Sequence, residues 1–199
     1  MLDFKSFCGL IAGVISIICF IPYIITTIKG KTRPNIATWS TWLILSIVIS
    51  ASYYSAGAFN TLWVPVCSIL GQSVIVLLAL KKGEGSWSKF DKLCLFCVGL
   101  SLALWWHFNS PMIALIMSLI VDFFGILPTI KKSYQDPESE NLLTWVLYLV
   151  TSIFLILAIE TWSFALSSFP IYMLTINIII VFLLIRNKIN YKMLKMNNL

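Results

Sequence analysis

Charge is scarce in this chain. Asp, Glu, Lys and Arg make up 11% of its 199 residues, where a soluble domain carries about 25%. Hydrophobic residues make up 59%, more than a soluble core of this length could hide. A soluble globular domain is excluded as an expectation, and a lipid bilayer is the environment that fits. Histidine is scarcer still, since His107 stands alone. No Ser/His/Asp set shares one depth, and the lone deep carboxyl, Asp122, cannot form an aspartyl dyad. An enzyme is not expected. The five cysteines give no disulfide framework: Cys19, Cys67, Cys94 and Cys97 lie inside apolar runs, and Cys8 lies at the edge of one. Cys94-x-x-Cys97 has metal-ligand spacing but lacks a second pair or a nearby His. Neither a metal nor a cofactor is expected. The last apolar run has no lysine for a retinal Schiff base.

What is present is a set of apolar runs: Phe7–Ile28, Ala37–Ala56, Leu62–Leu80, Leu93–Phe108, Met112–Ile130, Leu142–Ile159 and Phe164–Ile185. Most approach the ~20 residues that cross a hydrocarbon core as helix, and the fourth is short. The runs are continuous rather than alternating, which favours helices over a barrel. The first is longer than the ~7–15 residues of a signal-peptide core and is expected to be retained. Seven spans gather every Lys and Arg except Lys5 on one side. The positive-inside rule then puts the C-terminus in the cytoplasm and the N-terminus outside. The formal net charge of +6 belongs to these short loops and a basic tail, so no nucleic-acid partner is expected.

The chain also repeats itself. Pro22 precedes Thr38-Trp39 as Pro128 precedes Thr144-Trp145, at an offset of 106 residues. The same offset maps Trp42 onto Tyr148, Ser46 onto Ser152, and Ser16 onto Asp122. With a one-residue slip, Pro65 and Gln72 map onto Pro170 and Asn177. The loops after the first and fifth spans are both basic, so the copies point the same way. The expected fold is all-α integral membrane, seven transmembrane helices as 3+1+3 parallel repeats. Residues 1–80 form the first repeat, 81–110 a cytoplasmic loop and linker helix, 111–186 the second repeat, and 187–199 a basic tail.

This arrangement resembles the SWEET and PQ-loop transporters. A proline late in the first helix of each repeat, at Pro22 and Pro128, carries the likeness, although the PQ dipeptide itself is replaced by Pro22-Tyr23 and Pro128-Thr129. A weaker likeness, through Trp39-x-x-Trp42, is to the PnuC vitamin transporters. The SWEET resemblance implies alternating access, with Pro22 and Pro128 as hinges. It also implies an amide pair on the third helices that contacts substrate, a position matched here by Gln72 and Asn177.

Depth supports a site between the halves. Gln72, Asn177, Ser46 and Ser152 lie near the middles of their runs, where hydrocarbon cannot satisfy them. Trp42 and Tyr148 lie one turn inside the cytoplasmic interface. These six are the candidate substrate-binding residues, and the same residue types also bridge packed membrane helices. Asp122 is the one ionisable acid or base deep in a run and is the candidate proton-coupling group. The expected function is transport of a small polar solute, sugar-like or another neutral metabolite, across what is expected to be a bacterial inner membrane. Two repeats in one chain allow a monomer to work alone, or as a homo-oligomer. The alternative is a ligand-binding membrane receptor of the same fold that moves nothing.

Overall fold

The computed structural model describes residues 3–30, 34, 36–82, 110–135 and 142–197, with isolated positions between 89 and 107. Side chains are described as far as Arg186, apart from a few positions that include 37, 38, 128, 131 and 132. Six helices are bounded: α1 (Phe4–Ile28), α2 (Ile36–Ser55), α3 (Trp63–Lys82), α4 (Pro111–Gln135), α5 (Leu142–Leu157) and α6 (Phe164–Asn197). Of the described positions of the expected linker, Leu93, Phe96 and Leu100 are helical and exposed, while Cys97 is helical and partly buried against Leu45, Val48, Ala114 and Val121. Cys94, most of that linker and the tail's side chains lie outside the described residues. Among the described residues no strand occurs.

Local chemistry sets the helix ends. Asp3 caps α1, its carboxylate accepting the Ser6 N–H at 2.9 Å. Hydrogen bonds from Ser6 hold the Asp3 carboxyl below its ordinary value. After α1 and α2 the chain turns at Gly30 (φ 71°) and Gly57 (φ 74°), in the left-handed region that only glycine enters without strain. Ser163 opens α6 by accepting the Leu166 N–H at 3.3 Å. One boundary differs from the sequence expectation. The last helix does not stop with its apolar run but continues through the basic tail to Asn197, because nothing after Ile185 breaks it: the tail has no Pro or Gly.

Helices α1, α3 and α6 are long and apolar enough to cross a membrane, and α4 and α5 carry shorter apolar stretches. The exterior is apolar as well: Leu70, Leu77, Phe124, Ile178 and Phe182 are all exposed. Such a surface would aggregate in water and is compatible with integral membrane placement.

The helices pack in a closed order, α1, α3, α2, α4, α6, α5 and back to α1. Exchanging α1 with α4, α2 with α5 and α3 with α6 leaves each of these contacts in place. Chain halves meet along two seams, α1 against α5 and α2 against α4. At the end where the chain begins, all six helices contribute to one core: Ala12, Tyr53, Val64, Leu115, Leu155 and Phe169. Toward the opposite end, Ile126 of α4 and Ile176, Ile180 and Leu184 of α6 form a second core, on which Trp42, Trp145 and Tyr172 pack.

Candidate functional site

Asn177 sits on α6 with 2% exposure, and its Nδ2 faces α5. It donates to Ser152 Oγ at 2.7 Å and to the Tyr148 carbonyl at 3.3 Å. Ser152 in turn donates to the Tyr148 carbonyl at 2.8 Å. A carbonyl can only accept, so the amide nitrogen is the end that faces it. Three of the expected residues, Asn177, Ser152 and Tyr148, are thus brought together. Their bonds are internal, however, and both Asn177 N–H donors are committed. What the amide keeps for another molecule is an acceptor oxygen.

Gln72 behaves differently. It is buried on α3, and its Oε1 has no hydrogen-bond partner. In the packing order α3 lies opposite α6, so the two amides belong to different sides of the bundle. Ser46 is buried on α2, as expected. Five further buried hydroxyls, those of Thr41, Ser50, Ser52, Ser118 and Ser133, also have no partner. Hydroxyls on α5 and α6 are satisfied instead by the carbonyl one turn back, as Thr151 does with Leu147 at 2.9 Å and Thr175 with Ile171 at 2.8 Å. Unsatisfied buried oxygens concentrate on α2, α3 and α4.

Aromatic rings close the cytoplasm-expected end of the seam between halves. Tyr23 and Trp39 lie 4.8 Å apart, Trp39 and Trp42 5.2 Å, and Trp145 and Tyr148 6.0 Å between ring centroids. Phe20 joins the two groups, edge-on to Trp39 and to Tyr148 at 6.3 Å each. Trp39 Nε1 donates to Tyr23 Oη at 3.1 Å. Trp42 crosses from α2 to α4, where a Cβ at Gly125 would lie 3.7 Å from its Nε1. Trp42 and Tyr148, candidate substrate-binding residues at a cavity wall or inner gate, belong to this aromatic group.

Asp122 is partly buried on α4, and Tyr172 of α6 donates its phenolic hydrogen to Asp122 Oδ2. Sequence reasoning missed Tyr172, yet the repeat held the signal. Tyr172 lies 105 residues after Cys67, as Asp122 lies 106 after Ser16. In the first half Ser16 donates to the Gly13 carbonyl at 2.7 Å, and Cys67 Sγ would lie 3.2 Å from a Cβ at Gly13. The carboxyl–phenol pair at this crossing therefore belongs to the second half.

The end where the chain begins is closed by polar loops over the shared core. Glu160, between α5 and α6, accepts the Asn60 N–H at 2.7 Å through Oε1, and its carbonyl accepts Lys5 Nζ at 2.9 Å. Ser6 donates to Asn60 Oδ1 at 2.9 Å, and Tyr53 donates to the Leu166 carbonyl at 3.1 Å. Three of these four bonds tie the two halves together, the Ser6–Asn60 bond lying within the first, and sequence reasoning assigned none of them. Pro22 lies inside α1, and position 128 lies inside α4, its side chain outside the described set. A search of known protein families, curated proteins and solved structures finds no match for this chain.

Proposed function

We propose that this protein is a membrane transporter for a small polar solute, working by alternating access between two parallel three-helix repeats joined by a linker helix. The observation that carries the proposal is the packing order, which survives exchange of each helix with its repeat mate. Internal repeats related in this way frame a site on their shared axis in membrane transporters. Further support comes from the chemistry along the seams. Aromatic rings close one end, a hydrogen-bonded loop cluster closes the other, and buried oxygens without partners lie between. Closure at both ends is what an occluded intermediate requires, and breaking either set would open one side. Asp122 is the proton-coupling group in this proposal, with Pro22 and Pro128 as the bending points of the first helix in each half.

The test is uptake into proteoliposomes of labelled sugars, amino acids, nucleosides and vitamins, with and without a proton gradient. Accumulation of one class is expected, and its gradient dependence should vanish in Asp122→Asn. Gradient-dependent accumulation that persists in Asp122→Asn would end the coupling role. A ligand that raises thermal stability without any flux would identify a receptor of the same architecture instead.

A further inference from the structure

The hydrogen-bonding capacity left over in the interior is lopsided. Asn177 has spent both N–H donors on Ser152 and Tyr148. Gln72 presents a buried oxygen with no donor facing it. Asp122 accepts from Tyr172, and its other carboxylate oxygen can accept as well. Trp39 has spent its N–H on Tyr23, which leaves Trp42 Nε1 as an N–H near Gly125. The remaining hydroxyls can act either way. No Lys, Arg or His occurs in any of the six apolar runs outside the linker. An anionic solute would meet the Asp122 carboxylate and no cation at that depth. A solute bearing several N–H donors and a positive charge would meet acceptors.

Position adds to chemistry. Tyr172, bonded to Asp122, packs on the same core as Trp42 and Trp145. Trp42 also reaches Gly125, one turn from Asp122 on α4. Aromatic faces beside a carboxylate are the surroundings that hold ammonium and guanidinium groups in water-poor sites.

We propose, building on the transport reading above, that the solute is a small organic cation and that Asp122 holds either this cation or a proton, never both. The exchange step balances: protonated Asp122 plus the cation gives the Asp122 carboxylate paired with the cation, plus one released proton. Among the described residues the other titratable groups on the elements around Asp122 are few, and the linker's Cys97 packs on the cluster that holds Val121, next to Asp122 in sequence. On α4 itself, Lys131, Lys132 and Tyr134 lie two turns or more away. On α6 the titratable groups are Tyr172, which is bonded to Asp122, Arg186, which stacks on Tyr134 at 4.5 Å, and Lys188, Tyr191, Lys192 and Lys195, four turns or more beyond Tyr172 along the helix. On α2 they are Tyr53, which donates to Leu166, and Tyr54, which is exposed. Binding competition at one carboxylate makes the protein an exchanger: a cation enters as a proton leaves.

The experiment uses full-length protein in liposomes containing a pH-sensitive dye. Choline, lysine and agmatine are added outside, against mannitol and glucose as neutral solutes and lactate as an anion. The expected result is uptake of at least one cation, faster with an acidic lumen, and lumenal alkalinisation as it enters. Asp122→Asn should lower cation-dependent thermal stabilisation by about tenfold in apparent affinity, since a charge-assisted partner is lost. Tyr172→Phe, which retains the acid, should weaken it less and serves if the first variant does not fold. Uptake of mannitol, glucose or lactate without any cation would overturn this inference and leave the transport reading intact. Cation entry that acidifies the lumen would overturn the exchange step. No flux of any probe would overturn this inference, and the transport reading falls with it only if the wider panel of sugars, amino acids, nucleosides and vitamins shows none either.

Discussion

Gly9 shows how little room some single positions allow. A Cβ there would collide with the Asn60 carbonyl oxygen, and one at Gly13 would lie 2.9 Å from Trp63 Cβ. The absence of side chains at these two α1 positions lets α3 and its preceding loop approach. Gly9→Ala must push the loop that carries Asn60, at a cost of about 1–3 kcal/mol. It should lower the melting temperature measured by fluorescence in detergent, whereas Gly99→Ala, with open space around it, should not. Equal effects would show that the close approach is not a constraint. Neither glycine could be assigned from sequence, because the partner that makes it necessary lies some fifty residues away. Polar residues at mid-run were more legible. Gln72, Asn177, Ser46 and Ser152 are all buried, as hydrocarbon demands. Which of them bond internally depended on the rotamers of facing helices, and no spacing rule supplies those.

Among elements, the Glu160 loop has the largest span of influence. It holds the loop before α3 through Asn60 and the start of α1 through Lys5, so one side chain and one carbonyl join both halves. Glu160→Ala removes the acceptor of the Asn60 N–H. Ala58, beneath this cluster, is 1% exposed. A cysteine placed at Ala58 should react with a membrane-impermeant maleimide about fivefold faster in the Glu160→Ala background. An unchanged rate would mean that the loop does not control opening. The helices themselves could be read directly from the lengths of the apolar runs. Contacts between their loops could not, because Glu160 and Asn60 are separated by 100 residues and neither belongs to a recognisable motif.

For the whole molecule, the repeat offset was the most productive sequence signal. It predicted which helices would be equivalent, and the packing order respects that equivalence. The linker could not be judged in the same way, since it is described only in isolated positions. A topology measurement bears on the proposed seven spans. A cysteine replacing Ser163, which is exposed, should label from outside intact cells. One replacing Gly30, at the other end, should label only after the membrane is permeabilised. Labelling of both from one side would require a different number of crossings.

The closed packing order also has a consequence for synthesis. Helix α1 leaves the ribosome first, yet one of its two partners, α5, is made more than a hundred residues later. Until then the α1 surface that meets Tyr148 of α5 lacks that partner, although Phe20 already has Gly71 of α3 and Trp39 of α2 beside it, and α2 waits likewise for α4. At about 5–20 residues per second, that interval lasts roughly five to twenty seconds. In the proposed membrane setting, a nascent chain that ends before α5 would leave the α1 surface that meets α5 facing lipid or the insertion machinery.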